Sequence, residues 1–275
     1  MATLRLQGAI VGITGGAGAI GLETAIMFAG AGAHVAIGDI DGDAARGAAA
    51  LIGERARGYA VDVRDRSSMA TFIGAVGAPL VFVNNAGVMP LGRYVDEDPA
   101  VTRRAVDVNL WGALHGSQLA ARGMIARGEG HIVNIASLMG RMTAVGAVTY
   151  GAAKHAIVGF GGGFSDELDG TGVTVTTVLP TAVRTPLISG LALGRFPPVV
   201  EPYEVAAAVL ASCRHRRPEV TVPRYLARSP ELERLLPRGV RRRVRRRLGG
   251  DAALRPDAVQ RADYEGRIRA AELVA

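Results

Sequence analysis

Ala9-Ile10-Val11-Gly12-Ile13-Thr14-Gly15-Gly16-Ala17-Gly18-Ala19-Ile20-Gly21 is an apolar run that breaks into glycines. It predicts a buried strand over 9–14, and the residues that follow predict a helix over 19–31. A glycine-rich turn between strand and helix lets the backbone approach a pyrophosphate, whose charge the helix N-terminus stabilises. Gly16, Gly18 and Gly21 satisfy the G-x-G-x-x-G spacing, which carries little weight alone in a chain with 37 glycines. Asp39 strengthens it. At the end of the second expected strand, about 20 residues on, a carboxylate would accept hydrogen bonds from the adenosine ribose hydroxyls. It would also repel a 2′-phosphate, which favours NAD over NADP. Taken by itself, Asp39 also reads as a helix N-cap or turn residue, because Asp41 and Asp43 follow closely.

Outward from this turn, short apolar runs alternate with helical stretches. Strands are expected near 9–14, 34–38, 58–61, 79–83, 131–135, 173–178 and 219–222. Helices are expected over 19–31, 42–54, 66–76, 99–127, 149–169 and 202–213. Leu80-Val81-Phe82-Val83 and His131-Ile132-Val133-Asn134-Ile135 are apolar without alternation. Such strands are buried on both faces, as in a parallel sheet covered by helices. The pattern predicts an α/β fold: a doubly wound, mostly parallel sheet of seven strands with helices on both faces. No linker composition or repeat divides residues 1–225. Residues 1–230 are read as one catalytic domain, and 231–275 as a basic helical extension that is not an independent domain. The region 186–200, with Gly190, Gly194, Pro197 and Pro198, breaks the rhythm. It reads equally as a lid or as a long loop.

Charge is divided along the chain. Residues 1–213 hold 15 Lys+Arg against 17 Asp+Glu, and residues 214–275 hold 17 Arg against 8 Asp+Glu. Of the 32 basic residues only Lys154 is a lysine, and a compact ammonium whose pKa moves on burial has local uses that arginine lacks. The single cysteine, Cys213, favours a reducing cytoplasm and reads as apolar filler. No secretory leader, run of about 20 apolar residues or metal site is read, so a cytoplasmic protein is expected.

Ser137, Tyr150 and Lys154 form a second constellation. Tyr150 and Lys154, four apart, share a helix face, with small residues between them. A phenol with a pKa of about 10 is a poor base near neutrality, and a neighbouring ammonium lowers that value. Ser137, just past the fifth expected strand, is placed to hydrogen-bond a substrate oxygen.

Over roughly residues 8–225 the chain resembles the short-chain dehydrogenase/reductase family, whose fold is Rossmann-like. The motifs are the Thr14–Gly21 turn, Asp62-Val63, Asn84-Asn85-Ala86-Gly87, Asn109, Ser137, Tyr150-x-x-x-Lys154 and Pro180-Thr181-Ala182-Val183-Arg184-Thr185. The resemblance implies that Tyr150 exchanges the proton with the substrate oxygen and that Ser137 polarises the C–O group. Lys154 would tune Tyr150 and bind the nicotinamide ribose, and Asn109 would hold a water linking Lys154 to solvent. Gly15, Gly18, Ile20 and Gly21 would meet the phosphates, Asp62 and Val63 the adenine. Asn85, Ala86 and Gly87 would lie along the cofactor, and Val183 and Thr185 would hold the carboxamide. The chain departs from the family pattern at Ala19 and Thr181, where glycine is usual. Self-association as a homodimer or homotetramer through 99–127 and 149–169 is also implied.

Leu138, Met139, Met142, Val145, Val148, Leu187, Ile188, Leu191 and Phe196 are the expected pocket border, an apolar set suited to a hydrophobic secondary alcohol or ketone. Arg141 and Arg184 are read as solvent-facing. In the tail, Val240, Val244 and Leu248 recur every four residues among arginines. This is either a helix packed on the body or a basic amphipathic helix on an anionic membrane surface. Nucleic acid fits less well, since the run lacks aromatics for stacking. Two functions compete: an NAD-dependent alcohol/ketone oxidoreductase, and a non-catalytic NAD-binding sensor or scaffold.

Overall fold

The computed structural model describes residues 3–142, 145–193, 198–247 and 251–270, without the side chains of 245 and 267–270. Among them are seven strands: β1 Ile10–Thr14, β2 His34–Asp39, β3 Ala56–Ala60, β4 Val81–Asn84, β5 Gly130–Ile135, β6 Val173–Pro180 and β7 Glu219–Val222. They form one sheet in the order β3-β2-β1-β4-β5-β6-β7, every pairing parallel. A parallel neighbour requires the chain to cross back over the sheet, and the intervening helices do this. They are α1 Ala19–Gly30, α2 Gly42–Ile52, α3 Arg66–Val76, α4 Pro99–Val106, α5 Gly112–Arg127, α6 Val148–Glu167 and α7 Pro202–His215. Three more follow β7: α8 Ser229–Leu235, α9 Arg238–Arg247 and α10 Ala258–Ala270.

Both faces of the sheet are buried, which explains the missing alternation. Val81 and Val83 of β4 pack with Ala25 and Phe28 of α1 and Val205 and Val209 of α7. Phe82, between them, points the other way, to Met69 and Phe72 of α3 and Met124 of α5. Full burial of such side chains stabilises by about 1.5–3 kcal/mol each. Ile157 of α6 extends this second layer against Leu179.

The expected helix over 99–127 is interrupted. Asp107–Trp111 forms a π-turn between α4 and α5, and Asn109 within it is buried. Hydrogen bonds from its Nδ2 to the carbonyls of Ala105 and Val88, both 2.7 Å, accompany the extra residue. After β7 the chain returns across the carboxyl ends of the strands, so the C-terminal segment lies over the region where the sheet's loops converge.

Candidate active site

β1 and β4 are neighbours whose connections leave in opposite directions, and ligands of open α/β sheets bind at such a switch point. A cavity of about 1440 Å³ lies there. The glycine turn forms one wall. Gly15 has φ +60, and a Cβ on it would lie 2.7 Å from Ala86 Cα, while one on Gly21 would lie 2.3 Å from the Gly15 carbonyl oxygen. Both are therefore required by close backbone packing. Gly18 is different: its added Cβ would meet nothing nearer than 3.4 Å, and it borders the cavity. As N-cap of α1 it offers no side-chain acceptor, and the first turn carries no acidic residue. The helix thus presents uncapped N–H groups beside a glycine with room, which fits a dinucleotide pyrophosphate. Ala19, the departure from the family pattern, opens α1 and also borders the cavity.

Asp39 accepts hydrogen bonds from the amides of Ala17, 3.1 Å, and Asp41, 3.3 Å. Burial raises its pKa against those bonds. The N-cap of α2 is Asp41, which accepts from the Ala44 amide. Asp39 instead ties the second strand's end to the glycine turn. The Asp62 carboxylate is engaged by Arg64 in a fork of 2.7–3.0 Å, a partner that the sequence motif does not indicate. Val63 is buried against the turn that starts α5, where a Cβ on Gly112 would meet it at 2.8 Å. Asn85 donates to the carbonyls of Thr14 and Gly15, and the Thr14 hydroxyl accepts from the amides of Asn85 and Ala86. The turns after β1 and β4 are thereby knitted together. Ile20, Gly87, Val183 and Thr185 complete this side of the cavity. Thr181, the second departure, donates to the Pro198 carbonyl and closes the base of the segment after β6.

Tyr150, Lys154 and Ser137 are brought together at the other end. α6 places Tyr150 and Lys154 on one buried face, with the ammonium 5.6 Å from the phenol ring centroid. Lys154 Nζ donates to the Ile135 carbonyl at 2.8 Å. Ser137 accepts from the Met139 amide and lines the cavity together with Tyr150. Burial pushes Tyr150 up to about 12, opposed by the Ser137 hydroxyl. Burial also pushes Lys154 down to about 8. Burial outweighs at Tyr150 the lowering expected from a neighbouring ammonium. Both groups have lost water, so both favour their neutral forms. Asn109 stands nearby: a Cβ on Gly87 would lie 2.9 Å from its Oδ1 and 3.6 Å from Lys154 Nζ.

The family model for short chain dehydrogenases matches residues 9–193. The chain belongs to the short chain dehydrogenase family. It is 34% identical over 188 residues to the probable oxidoreductase EphD of Mycobacterium tuberculosis, an alignment covering 66% of this chain and 32% of that one. The chain thus spans about a third of that relative's length. It is 32% identical over 217 residues to a 3-alpha-(or 20-beta)-hydroxysteroid dehydrogenase of the same organism, covering 75% and 82%. Among solved structures, 3-ketoacyl-(acyl-carrier-protein) reductase from Brucella melitensis complexed with NADH superposes with a TM-score of 0.72. Its sequence is 26% identical, with 80% of this chain and 99% of that one covered.

Within this short chain dehydrogenase, seven of the nine expected border residues line the cavity. Val148 does not, and Phe196 lies outside the described residues, as do Gly194 and Pro197. Arg141 and Arg184 form ion pairs with Glu219 and Glu201, Arg141 partly buried and Arg184 largely exposed. Sequence reasoning missed the tail. Leu232, Leu236, Val244, Ala253 and Tyr264 line the cavity, and Arg261 is fully buried beside it. Nothing in the local pattern of 258–270 marks those two residues.

Proposed function

We propose that this protein is an NAD-dependent oxidoreductase interconverting a hydrophobic secondary alcohol and its ketone. The observation that carries this is the meeting of Ser137, Tyr150 and Lys154 in one apolar-walled cavity with the Gly15–Gly21 turn. A nicotinamide dinucleotide, when bound, supplies the two-electron oxidant or reductant. Tyr150 gives its proton to the ketone oxygen in reduction and takes the alcohol proton in oxidation, with Ser137 holding that oxygen. Lys154 balances charge that develops on the phenol, and Asn109, through a bound water, connects Lys154 to solvent. Gly15, Gly18 and Ile20 meet the phosphates, Gly21 lets the turn close on itself beneath them, and Asp62 and Val63 meet the adenine. Asn85, Ala86 and Gly87 line the cofactor's path, and Val183 and Thr185 hold its carboxamide. The bond from Ala17 to Asp39 supports NAD over NADP, since it fixes a carboxylate where a 2′-phosphate would sit. Oxidation is then the direction expected in cells. The hydroxysteroid dehydrogenase relative supports a bulky apolar substrate.

Residues 1–230 are assigned to the catalytic domain and 231–275 to its extension. No helix among the described residues is long and apolar enough to cross a membrane. We place the protein in the cytoplasm, touching anionic membrane through α9, whose Val240 and Val244 are exposed among arginines. Exposed Trp111, in the π-turn before α5, and exposed Ile125 of α5 support self-association as a dimer or tetramer.

The test is turnover of hydrophobic secondary alcohols with NAD and with NADP by wild type and Tyr150→Phe. Wild type is expected to use NAD. The variant should lose about a hundred- to ten-thousandfold in kcat while its NAD affinity stays within about twofold. The same preparation should weigh a multiple of 28.5 kDa. Tight NAD binding without turnover across the panel would replace the enzyme with a sensor or scaffold. NADP preference would overturn the reading of Asp39.

A further inference from the structure

The C-terminal helix α10 carries two buried groups that the proton transfer does not use. Arg261 is 0% exposed. Its Nη1 donates to the carbonyls of Leu187 and Ser189, each at 3.1 Å, and its Nη2 donates to that of Met89. Met89 follows β4, whereas Leu187 and Ser189 belong to the segment after β6. One guanidinium therefore spans both loops that flank Tyr150. The Glu265 carboxylate, 3.3 Å from Nε, offsets the buried charge, and the rigid guanidinium fork fixes the spacing of the carbonyls that Nη1 and Nη2 meet.

Tyr264 lies three residues further along the helix. The Arg261 guanidinium sits 4.6 Å from its ring centroid, and its phenol oxygen accepts from the Met89 amide at 2.9 Å. The ring borders the same cavity as Tyr150. Met89, whose amide the Tyr264 phenol accepts from, belongs with Leu187 and Ile188 to the apolar cluster around Tyr150.

The tail's close approach needs glycine on the body. A Cβ on Gly190 would lie 2.6 Å from the Asp257 carbonyl oxygen, and one on Gly146 would lie 2.4 Å from the Ala253 carbonyl carbon. The Asp257 amide donates to the Gly190 carbonyl at 2.8 Å.

We propose that α10 completes the substrate site: Arg261 is a positioning residue that sets the spacing of the two framing loops, and Tyr264 is a specificity residue that limits the bulk of the apolar alcohol or ketone accepted. The substrate class rests on the proposed function, whereas the loop spacing does not. The test compares full-length wild type with Arg261→Leu, Arg261→Lys, Tyr264→Phe and Tyr264→Ala. Three quantities are read: amide hydrogen exchange over 86–92 and 185–191 without ligand, NAD affinity, and kcat/KM for small and bulky secondary alcohols. Arg261→Leu should speed exchange in both segments and lower kcat/KM about ten- to hundredfold, with NAD affinity within about twofold. Arg261→Lys should restore part of the loss. Tyr264→Ala should raise the bulky-to-small kcat/KM ratio about tenfold. Tyr264→Phe should leave that ratio unchanged while speeding exchange of the Met89 amide.

Unchanged exchange in Arg261→Leu, or NAD affinity falling in step with kcat/KM, overturns the positioning role. Equal loss on all alcohols in Tyr264→Ala overturns the specificity role. Should Arg261→Leu not fold, the two Tyr264 variants and Arg261→Lys decide the same questions. A wild type that binds NAD and oxidises none of the alcohols defeats the proposed activity and with it the specificity role, while exchange still decides the positioning role.

Discussion

At the residue scale, burial governs the chemistry of the titratable groups more than their neighbours do. Tyr150 and Lys154 are both moved toward their neutral forms by loss of water. His131 in β5 shows the same physics away from the site. Its Nδ1 pairs with the Thr174 hydroxyl at 2.8 Å and its Nε2 with the Ser212 hydroxyl at 2.9 Å. Burial, with the charge of Arg216 adding to it, pushes its pKa down to about 3 from 6.5. Between those values the unfolded chain binds a proton here that the folded chain does not. Unfolding therefore takes up a proton, and acidification through that window destabilises the fold. We expect denaturant unfolding at several pH values to show that His131→Gln flattens the slope. The reduction should be at most about one proton, or about 1.4 kcal/mol per pH unit. Equal slopes for the two proteins would show that His131 holds its proton in the folded chain as it does in the unfolded one. The pairing of Tyr150 with Lys154 was legible in the sequence because it depends on a spacing along one helix, and Asp39 and Ser137 because each follows the end of an apolar strand run. Arg64, which occupies the Asp62 carboxylate, was not, because a nearby arginine in sequence does not specify a fork geometry.

Single elements show where a local pattern is ambiguous until the backbone resolves it. Taken by itself, Asp39 reads as a helix N-cap or turn residue, with Asp41 and Asp43 close behind it. The cap is Asp41, which accepts from the Ala44 amide at 2.9 Å, while Asp39 reaches back to Ala17. Thermal unfolding and NAD titration should separate the two. Asp41→Ala should cost about 1 kcal/mol of stability with NAD affinity unchanged within about twofold. Asp39→Ala should weaken NAD binding and narrow the discrimination against NADP. If Asp41→Ala weakens NAD as much as Asp39→Ala does, the division of labour between them is wrong. The helix expected over 99–127 is a comparable case. Its periodicity is helical throughout, and the inserted π-turn that buries Asn109 while leaving Trp111 exposed comes from carbonyls that Asn109 finds in Ala105 and Val88.

For the whole molecule, the uneven charge acquires a location. The segment from 214 onward, with 17 Arg against 8 Asp+Glu, supplies β7, and described residues beyond it border the cavity at the strand ends. Its apolar residues divide. Ala253 and Tyr264 are buried, whereas Leu235 is 81% exposed and Val240 and Val244 are exposed on the arginine-rich helix. Val244 also borders the cavity, which leaves Val240 as the valine directed to solvent among the arginines. Flotation with anionic phospholipid vesicles should carry the protein at low salt, and raising the salt should release it. Changing Arg242, Arg243 and Arg246 to Gln should abolish flotation while leaving turnover of a soluble alcohol intact. Binding that ignores both salt and these arginines would remove α9 as the contact.

By itself the sequence determined the alternation of strands and helices, the glycine turn, the doubly wound class and the helical spacing of Tyr150 and Lys154. Each of these is set by side-chain periodicity or by sterics over a few residues, so a reader of short windows can find it. The tertiary structure alone decided that Arg261 bonds Met89, 172 residues away, and that Tyr264 faces the cavity. The return of the chain depends on where the loops after β4 and β6 end and on glycines that let the tail approach. Those are properties of assembled surfaces, and no short stretch of sequence contains them.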